Sequence, residues 1–559
     1  MQRLVVLAAV AALTVACSGR GPQPVGAQPS WRGGAADSGG GNGGGGGELV
    51  QRPVTFAPAG PPVTRYNEPL QAAPKSALGD AVIVAVQTAA RAAGTHVPIA
   101  DARLFRACAE LAEVVPEEGT IPYSIIEFAL HRNGIVEPSP QLLILWGDID
   151  AAEQIVQQLR PGLAELLADG ATARVGIGAA TRRPDGTGAI VFALQGSGVS
   201  TSPIPRQVKA GGSFLVNAVV DVRYKSPEVF VTRNTGATDR LELKHGSSGG
   251  FTTPVSCVGF EGRQQVEITA SDAQGSTVLA NFPVWCGTAP PLSLTVTPSV
   301  DDVPASGPLD AEQRLLAMVN RDRQAAGLPA LLWDDRVASV ARGHSSEMWR
   351  TKVVAHISPT TGSASDRVRI ANIKTPLVLE NVARAYGLGV AHHGLLNSPG
   401  HRANIMSATA THIGIGVAFG DEVSGRPDIF ITQVFTRVPP KIDPAKVAEI
   451  MRQRIAKVHP VGSNVKLTSI AQQLADQLAA GKTREQAYPL VSRQIDELGN
   501  VYSRVGTVIT AASELDSVTG ADLLGDARPA DVAVGIAQGP HPEIGDGAIW
   551  IVILRAHKR

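Results

Sequence analysis

The chain has 559 residues, of which 44% are hydrophobic and 18% are charged, and its 50 basic residues balance its 50 acidic ones. At about 150 residues per domain, this length predicts three or four domains rather than one core. A net charge of zero without a clustered basic face gives no electrostatic reason to expect a nucleic-acid partner. The bulk numbers therefore indicate a globular protein of several domains that does not bind nucleic acid.

The first residues are typical of an export signal. Arg3 precedes the apolar stretch Leu4–Leu13, which is too short to cross a bilayer as a helix, and Ala16 and Cys17 follow it. Small residues before a Cys resemble the bacterial lipobox, although the usual Leu stands one place too early. The resemblance implies a lipoprotein signal peptide over 1–17, a lipid on Cys17, and an exported protein held on a membrane of the cell envelope or at the cell surface. An ordinary secretory signal is the alternative.

The remaining cysteines predict one disulfide. Outside the cytoplasm cysteines can pair, and three are left after Cys17 is set aside. Cys257 and Cys286 lie close together in a strand-rich segment, so they are the natural pair. Cys108 is then left as a free thiol that needs its own explanation.

Two segments differ from the rest in composition. Residues 18–75 begin with a Gly-, Ser- and Pro-rich stretch that ends in five consecutive glycines, so we predict a tether there. Residues 197–297 show short alternating patterns between Gly clusters, as in Phe214, Val216 and Ala218. That pattern predicts an all-β sandwich that serves as a spacer or adhesion module.

The chain also contains a threefold repeat. Three segments each place four residues at i, i+3, i+4 and i+7, which is one helix face, and each has a Gly-containing strand about 60 to 70 residues later. Chance is the alternative, because both patterns are common. The helix residues are Leu104, Ala107, Cys108 and Leu111; Val337, Val340, Ala341 and His344; and Leu467, Ile470, Ala471 and Leu474. The strands begin with Val175–Gly178, Ile413–Gly416 and Val532–Gly535. Cys108 aligns with two alanines, so a small buried residue accounts for it.

Only the middle copy carries a further series of motifs, and their order is specific although each alone is weak. They are Leu315–Arg321, Leu332–Asp334, Ala341–Met348, Ala355-His356, Glu380–Ala383, Asn397–Ile405 and Thr411–Gly414. Residues from about 308 to 438 thereby resemble a CAP-type domain, the family of cysteine-rich secretory proteins, antigen 5 and pathogenesis-related proteins. The resemblance implies an α-β-α sandwich with a mostly antiparallel sheet between helices.

The same resemblance implies a binding cleft. His356, Glu380 and His401 match family positions that line a central cleft and in several members hold a divalent metal, for which zinc is our first choice because two imidazoles and a carboxylate suit it. Many members add a second Glu, but Ser398 stands near that place here. His344 is a further cleft candidate that we expect to pack in the core.

Other polar residues near these motifs have plainer explanations. Asn381 is a cleft candidate, and its side chain is better explained as a tie between loops and backbone groups. A satisfied polar network that only joins three loops is the alternative for the whole set.

Two classes of function stay open. In the first, which we favour, the cleft binds a small molecule, a lipid, a sterol or a cell-wall fragment. In the second, a metal held by the same residues activates water, and Glu380 acts as the catalytic base of a hydrolase. A purely structural or adhesive module is the third interpretation.

The predicted fold class is multidomain α+β. A CAP-type α-β-α sandwich is flanked by two degenerate CAP-like α/β units, and an all-β sandwich is inserted between the first of these and the CAP domain. The predicted boundaries are 1–17 signal peptide, 18–75 tether, 76–196 degenerate unit, 197–297 β-sandwich, 298–440 CAP domain and 441–559 degenerate unit.

Overall fold

The structure is a computed structural model. It describes residues 14–16, 53–68, 72–116, 121–138, 140–168, 170–246, 249–297, 299–423, 426–516, 518–542 and 544–559. Cys17, the predicted lipidation site, lies outside these residues. Within the described ranges, no helix combines the length and the apolar character needed to cross a membrane.

The predicted tether ends earlier than residue 75. Among the described residues, three short strands precede the first helix: β1 (Thr14–Ala16), β2 (Val54–Phe56) and β3 (Arg65–Tyr66). Strand β1 falls within the predicted signal peptide and pairs antiparallel with residues 382–384. Phe56 and Tyr66 are fully buried, and β2 and β3 pair with strands of a later unit. The tether prediction is therefore wrong from about residue 53 onward, because two aromatic side chains anchor this stretch to the folded body.

Residues 76–196, the N-terminal unit, form a four-stranded sheet with helices. The strand order is β4-β6-β7-β5, with β4 parallel to β6 and the other neighbours antiparallel. The elements are α1 (Ala77–Ala93), β4 (Ile99–Ala100), α2 (Ala102–Ala112), α3 (Tyr123–Arg132), β5 (Gln141–Asp148), α4 (Ala152–Leu167), β6 (Thr172–Thr181) and β7 (Thr187–Gly196).

Residues 197–297, the two-sheet unit, contain strands and no helix in the part that the structure describes. The elements are β8 (Val199–Thr201), β9 (Ile204–Pro205), β10 (Gln207–Val208), β11 (Ser213–Val220), β12 (Lys225–Thr232), β13 (Thr238–Leu241), β14 (Lys244–His245), β15 (Gly250–Ser256), β16 (Gly262–Asp272), β17 (Gly275–Cys286) and β18 (Leu294–Val296).

Most of these strands form two sheets around a shared apolar core. One sheet has the order β10-β17-β16-β12-β13 and the other β14-β15-β11-β8. The predicted disulfide between Cys257 and Cys286 is confirmed, and Cys108 is a free, buried thiol. Burial raises the pKa of the Cys108 thiol, which keeps it protonated in its place on α2.

Residues 298–440, the central unit, form a sheet between two layers of helix. Apart from β1 at one edge, the strand order is β20-β22-β21-β19. Helices α5 and α8 pack on one face of the sheet, and α6 packs on the other. After a 3₁₀ turn at Val300–Asp302, the elements are α5 (Pro308–Ala325), β19 (Leu332–Trp333), α6 (Asp335–Thr351), α7 (Ala364–Ile370), β20 (Val378–Ala385), α8 (Leu388–Asn397), α9 (Pro399–Ile405), β21 (His412–Val423) and β22 (Arg426–Thr436).

Residues 441–559, the C-terminal unit, have a three-stranded antiparallel sheet in the order β23-β25-β24. The elements are α10 (Pro444–Val458), α11 (Val465–Ala479), α12 (Arg484–Ala487), α13 (Pro489–Asp496), β23 (Tyr502–Ala512), α14 (Gly520–Leu524), β24 (Asp531–His541) and β25 (Gly545–Lys558).

The three α/β units share one strand order. Counted within each unit, and leaving β1 aside, the strands of the N-terminal and central units lie in the order first, third, fourth, second, with the first parallel to the third. The C-terminal unit has the same order without the first strand, and a single parallel bridge from Gly462 to Asp531 lies in its place. Common descent of the units stays a prediction.

Glycine allows one helix of each unit to lie directly on the sheet. A Cβ on Gly178, Gly416 or Gly535 would lie 2.1 Å from a backbone atom of α2, α6 or α11, respectively. No side chain fits at that distance, so a strand residue at this place must be Gly. The helix faces predicted from the repeat point to these strands, and all their residues are buried except the half-buried Val340.

Candidate binding cleft

The carboxylate of Glu380 is the centre of a buried polar cluster in the central unit. Glu380 lies on β20, and its Oε1 accepts a hydrogen bond from Nδ1 of His356 at 2.9 Å. Its Oε2 accepts from the guanidinium of Arg367 on α7. Both Glu380 and Arg367 are buried, so this ion pair is shielded from water.

The environment holds Glu380 in its charged form. Burial by itself would raise the pKa of this carboxyl. The hydrogen bond from His356 and the positive charge of Arg367 together outweigh burial, and the pKa lies below its ordinary value. Glu380 is therefore a carboxylate at neutral pH and a weak proton acceptor.

The backbone around His356 is fixed from two sides. This residue lies in the loop between α6 and α7, and its carbonyl accepts a hydrogen bond from Arg367 at 3.3 Å. Its backbone N–H donates to the carbonyl of Gln274 in the two-sheet unit at 3.0 Å. The His356 side chain stays 19% exposed, which makes it the most accessible of the three predicted cleft residues.

His401 lies beside His356, as the family resemblance implies. The two rings are nearly parallel, with centroids 6.4 Å apart and an interplanar angle of 21°. His401 is in the first turn of α9, and its Nδ1 lies 2.6 Å from Oγ of Ser398, the residue before that helix. The structure therefore brings His356, Glu380 and His401 together and adds Ser398 through His401.

Glu267 of the two-sheet unit joins this cluster, although the sequence reasoning did not include it. It lies on β16, is fully buried, and accepts hydrogen bonds from the hydroxyl of Ser398 and, at 2.8 Å, from the backbone N–H of Gly400. Burial raises the pKa of Glu267 to about 7, although both hydrogen bonds favour the charged form. A carboxyl group thus lies beside Ser398, where the family pattern left an acid missing.

Sequence reasoning missed both Glu267 and Arg367. The one signal for Glu267 was its position between Val266 and Ile268 in an alternating strand, which places it on the face opposite to the core of its own unit. Such a face is normally solvated. For Arg367, no sequence signal distinguished it from its neighbour Arg369, which is exposed.

His344 and Asn381 have supporting places. Nε2–H of His344 donates to the carbonyl of Ala355 at 2.8 Å, and burial lowers the pKa of this imidazole despite the nearby Glu380. The side-chain amide of Asn381 donates to the carbonyl of His401 at 3.2 Å and to Oε1 of Gln433 at 3.1 Å. Both residues hold the loops that carry the cleft residues.

The two-sheet unit packs against the segments that carry the candidate cleft residues. The turn between β16 and β17 contacts His356, because Gly275 lies so close that a Cβ would be 2.8 Å from the Cβ of His356. In the middle of β17, the amide of Asn281 donates to the carbonyl of Asn397 at 3.1 Å. Arg402 donates to the carbonyl of Gly236, between β12 and β13, at 3.1 Å. The hairpin β16–β17 therefore reaches from the His356 loop to the start of α9.

A recess lined by both polar and apolar residues lies next to Ser398, where three units meet. It is small, with a volume of about 30 Å³. Its lining includes Tyr123, Glu127 and His131 of the N-terminal unit, Asn281 of the two-sheet unit, and Gly394 and Ser398 of the central unit.

The donor set in this arrangement does not fit a metal ion. Both oxygens of Glu380 accept hydrogen bonds, and the guanidinium of Arg367 would repel a cation there. In the part of the chain that the structure describes, no group of three or more His, Cys, Asp or Glu side chains is placed to hold a metal. Metal binding by His356, His401 and Glu380, with zinc preferred, stays a prediction from the family resemblance.

A family model identifies this unit. Residues 316–435 match the model described as the cysteine-rich secretory protein family, CAP. The central unit is a CAP domain. The sequence prediction of a CAP superfamily member is thereby confirmed, together with a mixed α/β fold.

Curated relatives from Bacillus subtilis (strain 168) match part of the chain. The uncharacterized membrane protein YlbC is 37% identical over 108 residues, which are 19% of this chain and 31% of YlbC. The uncharacterized protein YkwD is 31% identical over 150 residues, which are 26% of this chain and 58% of YkwD. The chain thus spans less than two thirds of either relative.

Solved structures are also similar to the chain. An extracellular protein with an SCP domain from Bacillus anthracis str. Ames is 20% identical, with a TM-score of 0.22, and the match covers 49% of this chain and 91% of that one. An outer surface protein from Borrelia burgdorferi is 19% identical, with a TM-score of 0.21, over 23% of this chain and 94% of that one.

Proposed function

We propose that this protein is exported to the cell envelope and that its CAP domain binds a polar ligand, such as a cell-wall fragment, in the cleft of His356, Glu380 and His401. The observation that carries the proposal is the buried Glu380, paired with His356 and Arg367 beside the ring of His401. A ligand that forms hydrogen bonds to these groups gains binding free energy. An apolar ligand that covered these groups without a hydrogen bond would bind less favourably, because their desolvation would not be compensated.

This polarity favours a cell-wall fragment over a lipid or a sterol. Apolar ligands occupy pockets lined mainly by aliphatic and aromatic side chains. The cleft residues carry imidazoles and a carboxylate. The adjoining recess is lined by Glu127, His131 and Asn281 as well as by Leu130, Pro138 and Val278. Sugar hydroxyls and peptide amides are the groups that this lining can bind.

Hydrolysis is the weaker alternative. A general base works best when its pKa lies near the working pH. The pKa of Glu380 lies below its ordinary value, and its two oxygens already accept hydrogen bonds. Activation of water by Glu380 would require Glu380 to release a hydrogen bond and to become more basic. Ligand binding requires neither change.

The proposal includes the organisation of the whole chain. The shared strand order supports the interpretation of the N-terminal and C-terminal units as degenerate CAP units. The two-sheet unit is then the inserted β-sandwich, which packs against the candidate cleft residues.

A titration with soluble cell-wall fragments tests the binding proposal. Calorimetry on the whole chain should show binding, and His356→Ala should weaken it by about tenfold or more, because a hydrogen bond to a polar ligand is lost. His393→Ala is the matched control, since His393 is an exposed histidine of the same domain, and it should bind like the wild type.

Three other results would each point elsewhere. Equal affinity in His356→Ala and wild type would refute the cleft as the binding site. Fragment cleavage that Glu380→Gln abolishes would establish the hydrolase. Capture of lipid or sterol vesicles in place of the fragments would replace the polar ligand with an apolar one.

We also propose that Cys17 carries a lipid that anchors the protein in a membrane. The support is the short apolar run followed by Ala16-Cys17. Expressed in a bacterial host, the wild type should incorporate labelled fatty acid and sediment with membranes, and Cys17→Ser should do neither. Labelling that persists in Cys17→Ser would refute the anchor, and a soluble, unlabelled wild type would indicate an ordinary secretory signal.

A further inference from the structure

Glu267 reaches the CAP domain with both of its oxygens. One accepts the hydroxyl proton of Ser398 and the other the backbone N–H of Gly400, which lies directly before His401. Glu267 and Ser398 are 131 residues apart in the sequence, and the exposure of both side chains is close to zero. A buried carboxyl with two partners from a neighbouring unit is a costly arrangement unless those bonds form.

Ser398 transmits the state of Glu267 to His401, because a hydroxyl has one proton to donate. When Ser398 donates to the ionised Glu267, its oxygen is left to accept from Nδ1–H of His401. The second nitrogen, Nε2, is then the unprotonated one. When the group at position 267 donates to Ser398 instead, the hydroxyl donates to Nδ1, and the proton of the neutral ring lies on Nε2.

We propose that Glu267 is a positioning residue for the cleft, which sets the orientation and the tautomer of His401 through Ser398. The two-sheet unit thereby completes the site of the CAP domain. This inference rests on the proposed function, in which His401 is part of the binding site. It adds to that site a residue from outside the CAP domain. In functional histidines, a hydrogen-bond partner on one ring nitrogen commonly fixes the orientation of the ring and the protonation of the second nitrogen.

The contacts around Glu267 make this coupling rigid. The hairpin β16–β17 is tied to the CAP domain at two places. At its turn, the carbonyl of Gln274 accepts a hydrogen bond from the backbone of His356, and in the middle of β17, Asn281 donates to the carbonyl of Asn397. Asn281 is paired with Glu267 across the hairpin. The carboxyl therefore keeps its place beside Ser398.

Nitrogen NMR on the whole chain tests the proposal without any ligand. The 12 histidines are labelled with ¹⁵N, and the signals of His401 are assigned by their loss in His401→Gln. At a pH of about 8.5, a carboxyl with a pKa of about 7 is ionised. Wild type should then show His401 with its proton on Nδ1.

Glu267→Gln should reverse that pattern. The amide oxygen keeps the hydrogen bond from Gly400, so the NH₂ group faces Ser398 and donates to it. The protonated and unprotonated ¹⁵N signals of His401 should exchange between the two ring nitrogens. Glu261→Gln, an exposed glutamate of the same unit, is the matched control and should leave the spectrum unchanged.

Ser398→Ala gives a second, independent arm if Glu267→Gln does not fold. Without the hydroxyl, the His401 signals should lose the wild-type pattern even though Glu267 is intact, and a further Glu267→Gln change should have no effect on them. Two results would overturn the proposal: His401 signals that stay as in wild type in Glu267→Gln, or in Ser398→Ala. Because no ligand is present, failure here leaves the binding proposal to its own test.

Discussion

Arg367→Ala should destabilise the CAP domain by about 3–5 kcal/mol, because it leaves the charge of Glu380 buried without its guanidinium partner and with only the hydrogen bond from His356. The guanidinium also donates to the carbonyls of Gly362, at 2.6 Å, and His356, so its loss frees the His356 loop as well. Urea unfolding monitored by CAP-domain tryptophan fluorescence measures the change.

Arg369→Ala is the matched control for this prediction. Arg369 lies on the same helix, and its ion pair with Asp366 is largely exposed to solvent. Surface pairs of this kind contribute at most about 1 kcal/mol, so its removal should have a small effect. Equal effects of the two variants would show that the buried pair does not stabilise the domain.

The effect of Arg367→Ala should depend on pH in a defined direction. The pKa of Glu380 is lower in the folded protein than its ordinary value of 4.5. The pair's stabilisation is therefore complete above pH 4.5 and is lost as the pH falls through the folded value. The difference between wild type and Arg367→Ala should shrink in that acid range, and a constant difference would contradict the ion-pair explanation.

Gly416→Ala should destabilise the CAP domain by about 3 kcal/mol, the upper end for an overpacked core. The new Cβ would lie 2.1 Å from the backbone nitrogen of Arg342, so helix α6 must move away from β21. Backbone atoms cannot rotate out of the way as a side chain can. Thermal unfolding of the purified variant measures the loss.

Gly343→Ala is the control, and its expected effect has the opposite sign. Gly343 lies on α6 itself, is exposed, and has no atom within 4 Å of an added Cβ. Alanine there should stabilise the helix by about 0.5–1 kcal/mol, because Gly loses more backbone entropy on folding. Destabilisation by both changes would place the cause in the helix rather than in the helix–sheet contact.

Local spacing explains what could be predicted. The i, i+3, i+4, i+7 pattern identified the helix faces that pack on each sheet, and burial of Leu111, His344 and Leu474 agrees with it. Glycines within a β pattern indicated the strands under those helices. The ordered motifs around His356, Glu380 and His401 identified the CAP domain, because they are short and depend on neighbouring residues.

Short motifs and their resemblance to the CAP family were thus enough to predict the CAP domain and to single out His356, Glu380 and His401, which the structure brings together. The positions of Cys257 and Cys286 in one strand-rich segment predicted their disulfide. Only the packing of the units in the tertiary structure shows which charged side chains lie next to these three residues. Arg367 and Arg369 are alike in sequence, and Glu267 lies on a strand face that alternation predicts to be solvated. The reason is physical: a strand pattern fixes which side chains share a face, but burial of that face depends on another unit packed against it. The contact between Glu267 and Ser398 joins residues 131 positions apart, and no local pattern encodes it.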